Sequence, residues 1–412
     1  MSGTLLDRIK EVELELSRTQ RNKATERSIG VLRAKLAKLR SELLDPSGPG
    51  SGPGEGFEVN RTGHARIALI GFPSVGKSTL LTTLTGTESL QAAYEFTTLT
   101  CVPGNVFYKN TKLQVLDLPG IIEGASQGRG RGRQVIAVAK SSDLVLMVLD
   151  ASKEVDGQSN HRAILERELE TVGLRLNKAP PDVHFKRRST GGIKVSAVGF
   201  PGLTHFGDDP EGAVKAILHE YRVHNADVLF REDATADDLI DVVNGNRKYV
   251  RCLYAYNKVD QISVEATDKL VRENYNSVAV SSHAKLGLDW LLERVWQDLA
   301  LVRVYTKPPQ RSPDFSDPVI LTKSRHGVTV EGACLQIHRQ LVADFSHAFV
   351  FGTSVKHQPQ AVGLSHVLED EDVIRIVKKP NSALRRDKNY NSRVQQHWED
   401  IRQRRKKKPL KT

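Results

Sequence analysis

Cysteine is scarce in this chain, with three in 412 residues: Cys101, Cys252 and Cys334. They lie far apart and none forms a C-x-x-C pair. That excludes a disulfide framework and a zinc site of the usual spacing, and it points to a reducing intracellular compartment. Long apolar runs are missing as well. The longest, around Leu144 to Leu149, has the length of a strand, whereas a bilayer-crossing helix needs ~18 or more apolar residues. No membrane span is expected. The N-terminal Met1-Ser-Gly-Thr-Leu-Leu-Asp-Arg8 mixes charges and lacks the apolar core of a secretory signal, so a cytoplasmic location is expected.

Acidic residues run short in one place. The net charge is +11, and residues 381–412 hold eleven Lys or Arg against three acids, a surplus of +8. The basic character therefore belongs to a tail, densest at Arg402-Gln-Arg-Arg-Lys-Lys-Lys408. Three readings of it stay open: RNA contact through phosphates, a localisation patch giving a nuclear pool, and a solvated end.

What is present is organised in blocks. Leu5, Ile9, Val12 and Leu16, then Ile29, Leu32, Leu36, Leu39 and Leu43, recur at intervals of three and four. The spacing predicts an antiparallel helical hairpin over residues 1–48, each stripe burying the other. Residues 49–64 are rich in Gly, Pro and Ser, which predicts a flexible linker that lets the hairpin move. From residue 65 to 302, short apolar strands alternate with helical stretches: Arg66–Ile70, Leu113–Leu116, Leu144–Leu149, Val250–Tyr256 and Val278–Val280. This is the pattern of an α/β fold with a doubly wound, mainly parallel sheet. Between Asp150 and Asn257 lie 106 residues, where one βα unit needs roughly 30. An inserted α+β subdomain at about 176–240 accounts for the excess, with a β segment at 191–200 and a helix at 211–221. Residues 303–379 read as a small sheet crossed by one helix (332–343), with strands at Pro318–Thr322, Val328–Val330, Ala348–Phe351 and Val373–Val377. Residues 380–412 are the basic tail.

The chemistry sits at predicted strand ends. Gly71-Phe72-Pro73-Ser74-Val75-Gly76-Lys77-Ser78-Thr79 follows one strand and opens a helix, the context of a phosphate-binding loop. Its glycines let backbone N–H groups curl around α- and β-phosphates, Lys77 neutralises β/γ oxygens, and Ser78 is a Mg²⁺ ligand. Asp117-Leu118-Pro119-Gly120 ends the next strand, placing Asp117 in the second shell of the Mg²⁺ and the Gly120 N–H toward a γ-phosphate. In Tyr94-Glu-Phe96-Thr97-Thr98, a threonine hydroxyl completes the Mg²⁺ shell only when that phosphate is present, and Thr98 is preferred over Thr97. Asn257-Lys258-Val-Asp260 caps a further strand. A buried Asp260 carboxylate accepts from guanine N1–H and N2–H₂, which adenine does not offer. Ser281-Ser282-His283 follows the last strand, where a backbone N–H meets guanine O6. Each motif alone is weak, D-x-x-G being more often a simple turn. Their order, each at a strand's carboxyl end, implies a GTP/GDP site in which Lys77, Thr98 and Gly120 serve catalysis.

These residues resemble the Obg-like, translation-factor-class GTPases, and specifically the developmentally regulated GTP-binding protein family, closest to its second eukaryotic paralogue. The likeness is carried by Tyr94-Glu-Phe-Thr-Thr-Leu-Thr-Cys-Val-Pro-Gly104, Asp117-Leu-Pro-Gly-Ile-Ile-Glu-Gly124, Gly128-Arg-Gly-Arg-Gly-Arg-Gln-Val135 and Leu229-Phe-Arg-Glu-Asp233. It implies an OBG-type P-loop GTPase domain, a helix-turn-helix hairpin, an S5D2-like insert and a C-terminal TGS domain of ubiquitin-like β-grasp fold. It also implies Mg²⁺-dependent GTP hydrolysis, association with ribosomes or polysomes, and a regulatory partner protein. Two positions depart from related GTPases. Ile121 stands where Ras-like enzymes carry a water-orienting Gln, so slow unaided hydrolysis is expected. Ser74 stands where potassium-dependent relatives carry an Asn, which leaves K⁺ as a cofactor without its usual ligand. The opposing reading is an RNA- or ribosome-binding scaffold in which GTP is mainly structural. Nothing in the sequence sets the oligomeric state.

Overall fold

The computed structural model describes residues 5–20, 22–44, 63–85, 102–118, 138–155, 160–199, 202–245, 247–323 and 327–379. The described residues form two compact units, one reaching to Asp298 without Lys109–Thr111, the other made of Lys109–Thr111 and the residues from Leu299 to Lys379.

The first unit is built on a seven-stranded sheet. Its strands are β1 (Ala65–Ile70), β2 (Val102–Tyr108), β3 (Thr111–Asp117), β4 (Leu144–Asp150), β5 (Leu174–Leu176), β9 (Lys248–Asn257) and β10 (Ser277–Ala279). The order is β10-β9-β4-β1-β3-β2, with β5 also paired to β9. The pairs β1–β3, β1–β4, β4–β9, β5–β9 and β9–β10 are all parallel. Every residue of β1 and β4 is buried, which explains why both read as unbroken apolar runs rather than alternating ones. The helices here are α3 (Lys77–Thr85), α4 (Ala151–Val155), α5 (His161–Thr171), α8 (Val264–Glu273) and α9 (Leu288–Leu299). Successive strands are laid on opposite sides of β1, so the carboxyl end of β1 lies where the strand order reverses. A crevice opens there in sheets of this kind.

Between β5 and β9 the chain makes a three-stranded sheet, β6 (Val183–Arg187), β8 (Ala226–Phe230) and β7 (Ile193–Ala197), with α6 (Pro210–Glu220) and α7 (Ala236–Asn244). Thr235 starts α7 through a capping box with Asp238, and Gly245 ends it in the left-handed conformation, the residue types those two positions favour. Val214, Ile217, Leu218, Val228, Phe230 and Leu239 form the core of this insert.

The N-terminal hairpin, α1 (Leu5–Arg18) and α2 (Glu26–Leu44), buries Ile9, Val12 and Leu39 between its helices. Its second helix also belongs to the insert. Ala34 is fully buried in the insert's core. Lys38 Nζ donates to the Glu220 carbonyl at 3.0 Å, and the Tyr221 hydroxyl donates to the Ala34 carbonyl at 3.1 Å. Arg33 pairs with Asp237 at 2.9 Å. The expected freedom of the hairpin is therefore not found, because small and basic residues on α2 fit it to α6 and α7.

The second unit is a five-stranded sheet in the order β12 (Asp314–Leu321), β11 (Val302–Thr306), β15 (Asp372–Lys378), β13 (Phe345–Phe351), β14 (Gln360–Val362). The β11–β15 pair is parallel, and β11–β12, β13–β15 and β13–β14 are antiparallel. Two short helices, α10 (Val330–Ile337) and α11 (Gln340–Asp344), replace the single helix expected. The strand expected at Val328–Val330 is also corrected. The Thr329 side chain accepts from the Gly332 N–H and caps α10, so Val330 starts a helix; a local cap outweighs a short β-branched run.

Candidate nucleotide-binding site

The carboxyl ends of the parallel strands β1, β3, β4, β9 and β10 lie along one edge of the sheet. The strand register aligns them, with Leu69 beside Asp117 and Asp150 beside Asn257. The loop after β1 is shaped by close approaches. A Cβ on Gly71 would stand 2.4 Å from the Val148 carbonyl, and one on Gly76, whose φ is +91°, would stand 2.5 Å from Asn257 Nδ2. Both positions therefore require glycine. Ser74 is left-handed too, with φ 67°, and carries the strain of a side chain there.

Lys77 folds back over this loop. Its Nζ donates to the carbonyls of Gly71 (2.9 Å) and Phe72 (2.8 Å). Burial lowers its pKa, with the charge of Asp117 acting in the other direction. Ser78 Oγ donates to Asp117 Oδ2 at 2.7 Å. The second carboxylate oxygen of Asp117, Oδ1, is buried and has no hydrogen-bond partner among the described residues. A buried, unpaired carboxylate oxygen is costly; beside a serine hydroxyl, this donor set fits a hydrated divalent cation of the Mg²⁺ type.

On the opposite wall, Asn257 is 2% exposed. Its Nδ2 donates to the Val75 carbonyl at 2.8 Å, and its Oδ1 accepts from the N–H and the hydroxyl of Ser282, both at 3.0 Å. The side chain expected to touch nucleotide is thus committed to joining two loops. Lys258 has φ 65° and reaches Asp150 Oδ2 at 2.7 Å. Asp150, which the sequence marks only as the start of the long insertion and not as a site residue, is 3% exposed. Its one signal as a site residue was its place at the end of β4. Burial raises the Asp150 carboxyl, but hydrogen bonds from Lys258 and Ser152 outweigh this and hold it below its ordinary value.

Asp260 corrects a further expectation. It is exposed, not buried, because it sits in a 3₁₀ turn beyond β9 (Val259–Gln261) rather than on the strand. Ser281 Oγ donates to its Oδ1 at 2.5 Å, and this bond is the main cause of its lowered pKa. Ser281 and Ser282 are buried, while His283 is exposed. Leu118 lies in the hydrophobic core, so its side chain faces away from the crevice. Val75 is buried, and Pro73, Ser78 and Thr79 are exposed. Phe96, Thr97, Thr98, Pro119, Gly120 and Ile121 lie outside the described residues, as does the tail.

Known proteins match this architecture piece by piece. Residues 66–183 match the family described as 50S ribosome-binding GTPase, residues 190–301 match the C-terminal region of that domain, and residues 302–378 match the TGS domain. Along the whole chain, identity is 57% over 410 residues with developmentally-regulated G-protein 1 of Arabidopsis thaliana, covering 99% of each chain. The chain belongs to the developmentally regulated GTP-binding protein family. Developmentally-regulated G-protein 2 of the same plant is 60% identical over 375 residues, 91% of this chain and 92% of that one. The human developmentally-regulated GTP-binding protein 2 is 54% identical over 376 residues, 91% and 100%. Membership makes this a P-loop GTPase with a C-terminal TGS domain, in a family that binds GTP and GDP. Among the described residues, no helix is long and apolar enough to cross a membrane.

Proposed function

We propose that this chain hydrolyses GTP with Mg²⁺ and acts as a translation switch on ribosomes, in concert with a regulatory partner protein. The observation that carries the catalytic part is the Ser78–Asp117 pair at 2.7 Å, with Asp117 Oδ1 buried and unpaired among the described residues. Ser78 and Thr98 would hold the cation, supported by Asp117, which accepts from the Ser78 hydroxyl. When bound, Mg²⁺ neutralises charge on the β- and γ-phosphate oxygens. Lys77 spans the loop carbonyls and the same phosphates, and the loop's N–H groups cradle them. The Gly120 N–H and Thr98 register the γ-phosphate. Asp260 and the Ser281–His283 loop select guanine. Water attacks the γ-phosphorus as its bond to the β–γ bridging oxygen breaks, releasing GDP and phosphate. With Ile121 unable to orient that water, turnover is slow without a partner or a bound K⁺.

The ribosome reading is supported by the family description matched by residues 66–183 and by the basic tail. Ser78→Ala should lower Mg²⁺-dependent GTP turnover at least tenfold while leaving the fold intact; turnover equal to the wild type, or indifferent to EDTA, removes the metal assignment. Ribosome co-sedimentation with GDP, GTP and a non-hydrolysable analogue, with and without residues 381–412, tests the switch. Binding that ignores the nucleotide favours a scaffold instead. A tail deletion that leaves the salt dependence unchanged makes the tail a bystander.

A further inference from the structure

Phe72 is the second residue of the phosphate-binding loop, and its carbonyl is one of the two that hold Lys77. A carbonyl stays aimed only if its residue is fixed. Gly71 before it is wedged against Val148, whereas Pro73 and Ser74 after it are exposed. Phe72 is therefore the last anchored point before the exposed turn. Its ring packs against the core of the sheet and against the ring of His161, with centroids 4.4 Å apart and planes tilted by 36°.

His161 is the first residue of α5, and the preceding Asn160 makes no side-chain cap there. Glu154 on α4 does so instead, accepting from the backbone N–H groups of His161 and Arg162. Burial pushes the Glu154 carboxyl up, against the effect of those bonds. Glu154 Oε1 and His161 Nδ1 are both buried without a hydrogen-bond partner among the described residues. The backbone that carries the imidazole is thus held by the Glu154 cap, and the ring itself rests against Phe72. The same α4 begins directly after Asp150, the partner of Lys258.

We propose that His161, seated by Glu154, is a positioning residue for nucleotide binding: its ring fixes Phe72, and so the carbonyls that preset Lys77 for the phosphates. The inference rests on the nucleotide site proposed above. A ring pair of this kind contributes about 0.5–1.5 kcal/mol, which converts to a two- to tenfold change in affinity.

The test uses the purified full-length chain, with calorimetric GDP affinity and steady-state GTP turnover. His161→Ala should raise the GDP Kd and the KM for GTP two- to tenfold and leave kcat nearly unchanged. His161→Phe, which keeps a ring on Phe72, should restore both. Glu154→Ala should weaken affinity like His161→Ala, and the double variant should lose no more than either alone. Wild-type affinity in His161→Ala, or a loss in His161→Phe equal to that of His161→Ala, overturns the proposal. Failure of the wild-type chain itself to bind GDP would instead overturn the nucleotide site.

Discussion

The side-chain amide of Asn257 donates to the Val75 carbonyl at 2.8 Å, joining the end of β9 to the loop after β1. Its oxygen meanwhile accepts from Ser282. Asn257→Ala would strand the Val75 carbonyl and the Ser282 N–H, both buried groups whose desolvation costs about 1–3 kcal/mol apiece when unpaired. Thermal denaturation should show a clear loss of stability, and GDP affinity should fall with it. Asn257→Asp, which keeps the acceptor but not the donor, should lie between. An unchanged melting temperature in Asn257→Ala would show that the two loops are held by something else.

In the proposed function, base selection falls to Asp260, an exposed carboxylate rather than a buried one. Asp260 is steadied by Ser281, whose hydroxyl donates to Oδ1. Asp260→Asn should shift preference from guanine toward xanthine nucleotides, because an amide donates where the carboxylate accepted. Competition binding with GDP and XDP measures this. Ser281→Ala should weaken GDP binding without that reversal, and equal base selectivity in Asp260→Asn and the wild type would take Asp260 out of its assigned role.

The Asp150–Lys258 pair predicts a pH dependence of stability. Asp150 has its folded-state pKa lowered from 3.8. Its contribution is therefore complete above that value and is lost as pH falls through the lower folded-state value. Lys258→Met leaves Asp150 buried without its ammonium partner and should be strongly destabilised at pH 7. The gap to the wild type should narrow below about pH 4 as carboxylates protonate. Urea denaturation at a series of pH values gives the answer, and a gap that stays constant into acid would contradict the pairing.

Ala34 tests whether the hairpin and the insert are one body. It is fully buried in the insert's core. Enlarging it to Leu should cost about 1–3 kcal/mol through overpacking, read as a lower urea midpoint. On a freely moving hairpin the same change would be silent.

Much of this was legible in the sequence. β1 and β4 are buried along their whole length, so their apolar runs announced themselves, and the phosphate-binding loop followed from glycines placed between a strand and a helix. The inserted subdomain showed as an excess of chain between Asp150 and Asn257. Other features left little local trace. β7 and β6 carry mixed polar sequences because each is half exposed. Val330 looked like a strand because periodicity over three residues does not register the cap that Thr329 supplies.

The sequence by itself determined which groups would be available: the glycines at 71 and 76, Lys77, Ser78, Asp117 and the Asn257–Asp260 run. Those are properties of residue type and of order along the chain. Only the tertiary structure decided how each is used. Asn257 became a strut because β9 lies two strands from β1, and its amide spans the gap to Val75. Asp150 became the partner of Lys258 because β4 and β9 are in register. His161 came to rest on Phe72 across 89 residues of sequence. Contacts between distant segments depend on sheet order and packing, and neither has a signature in local spacing.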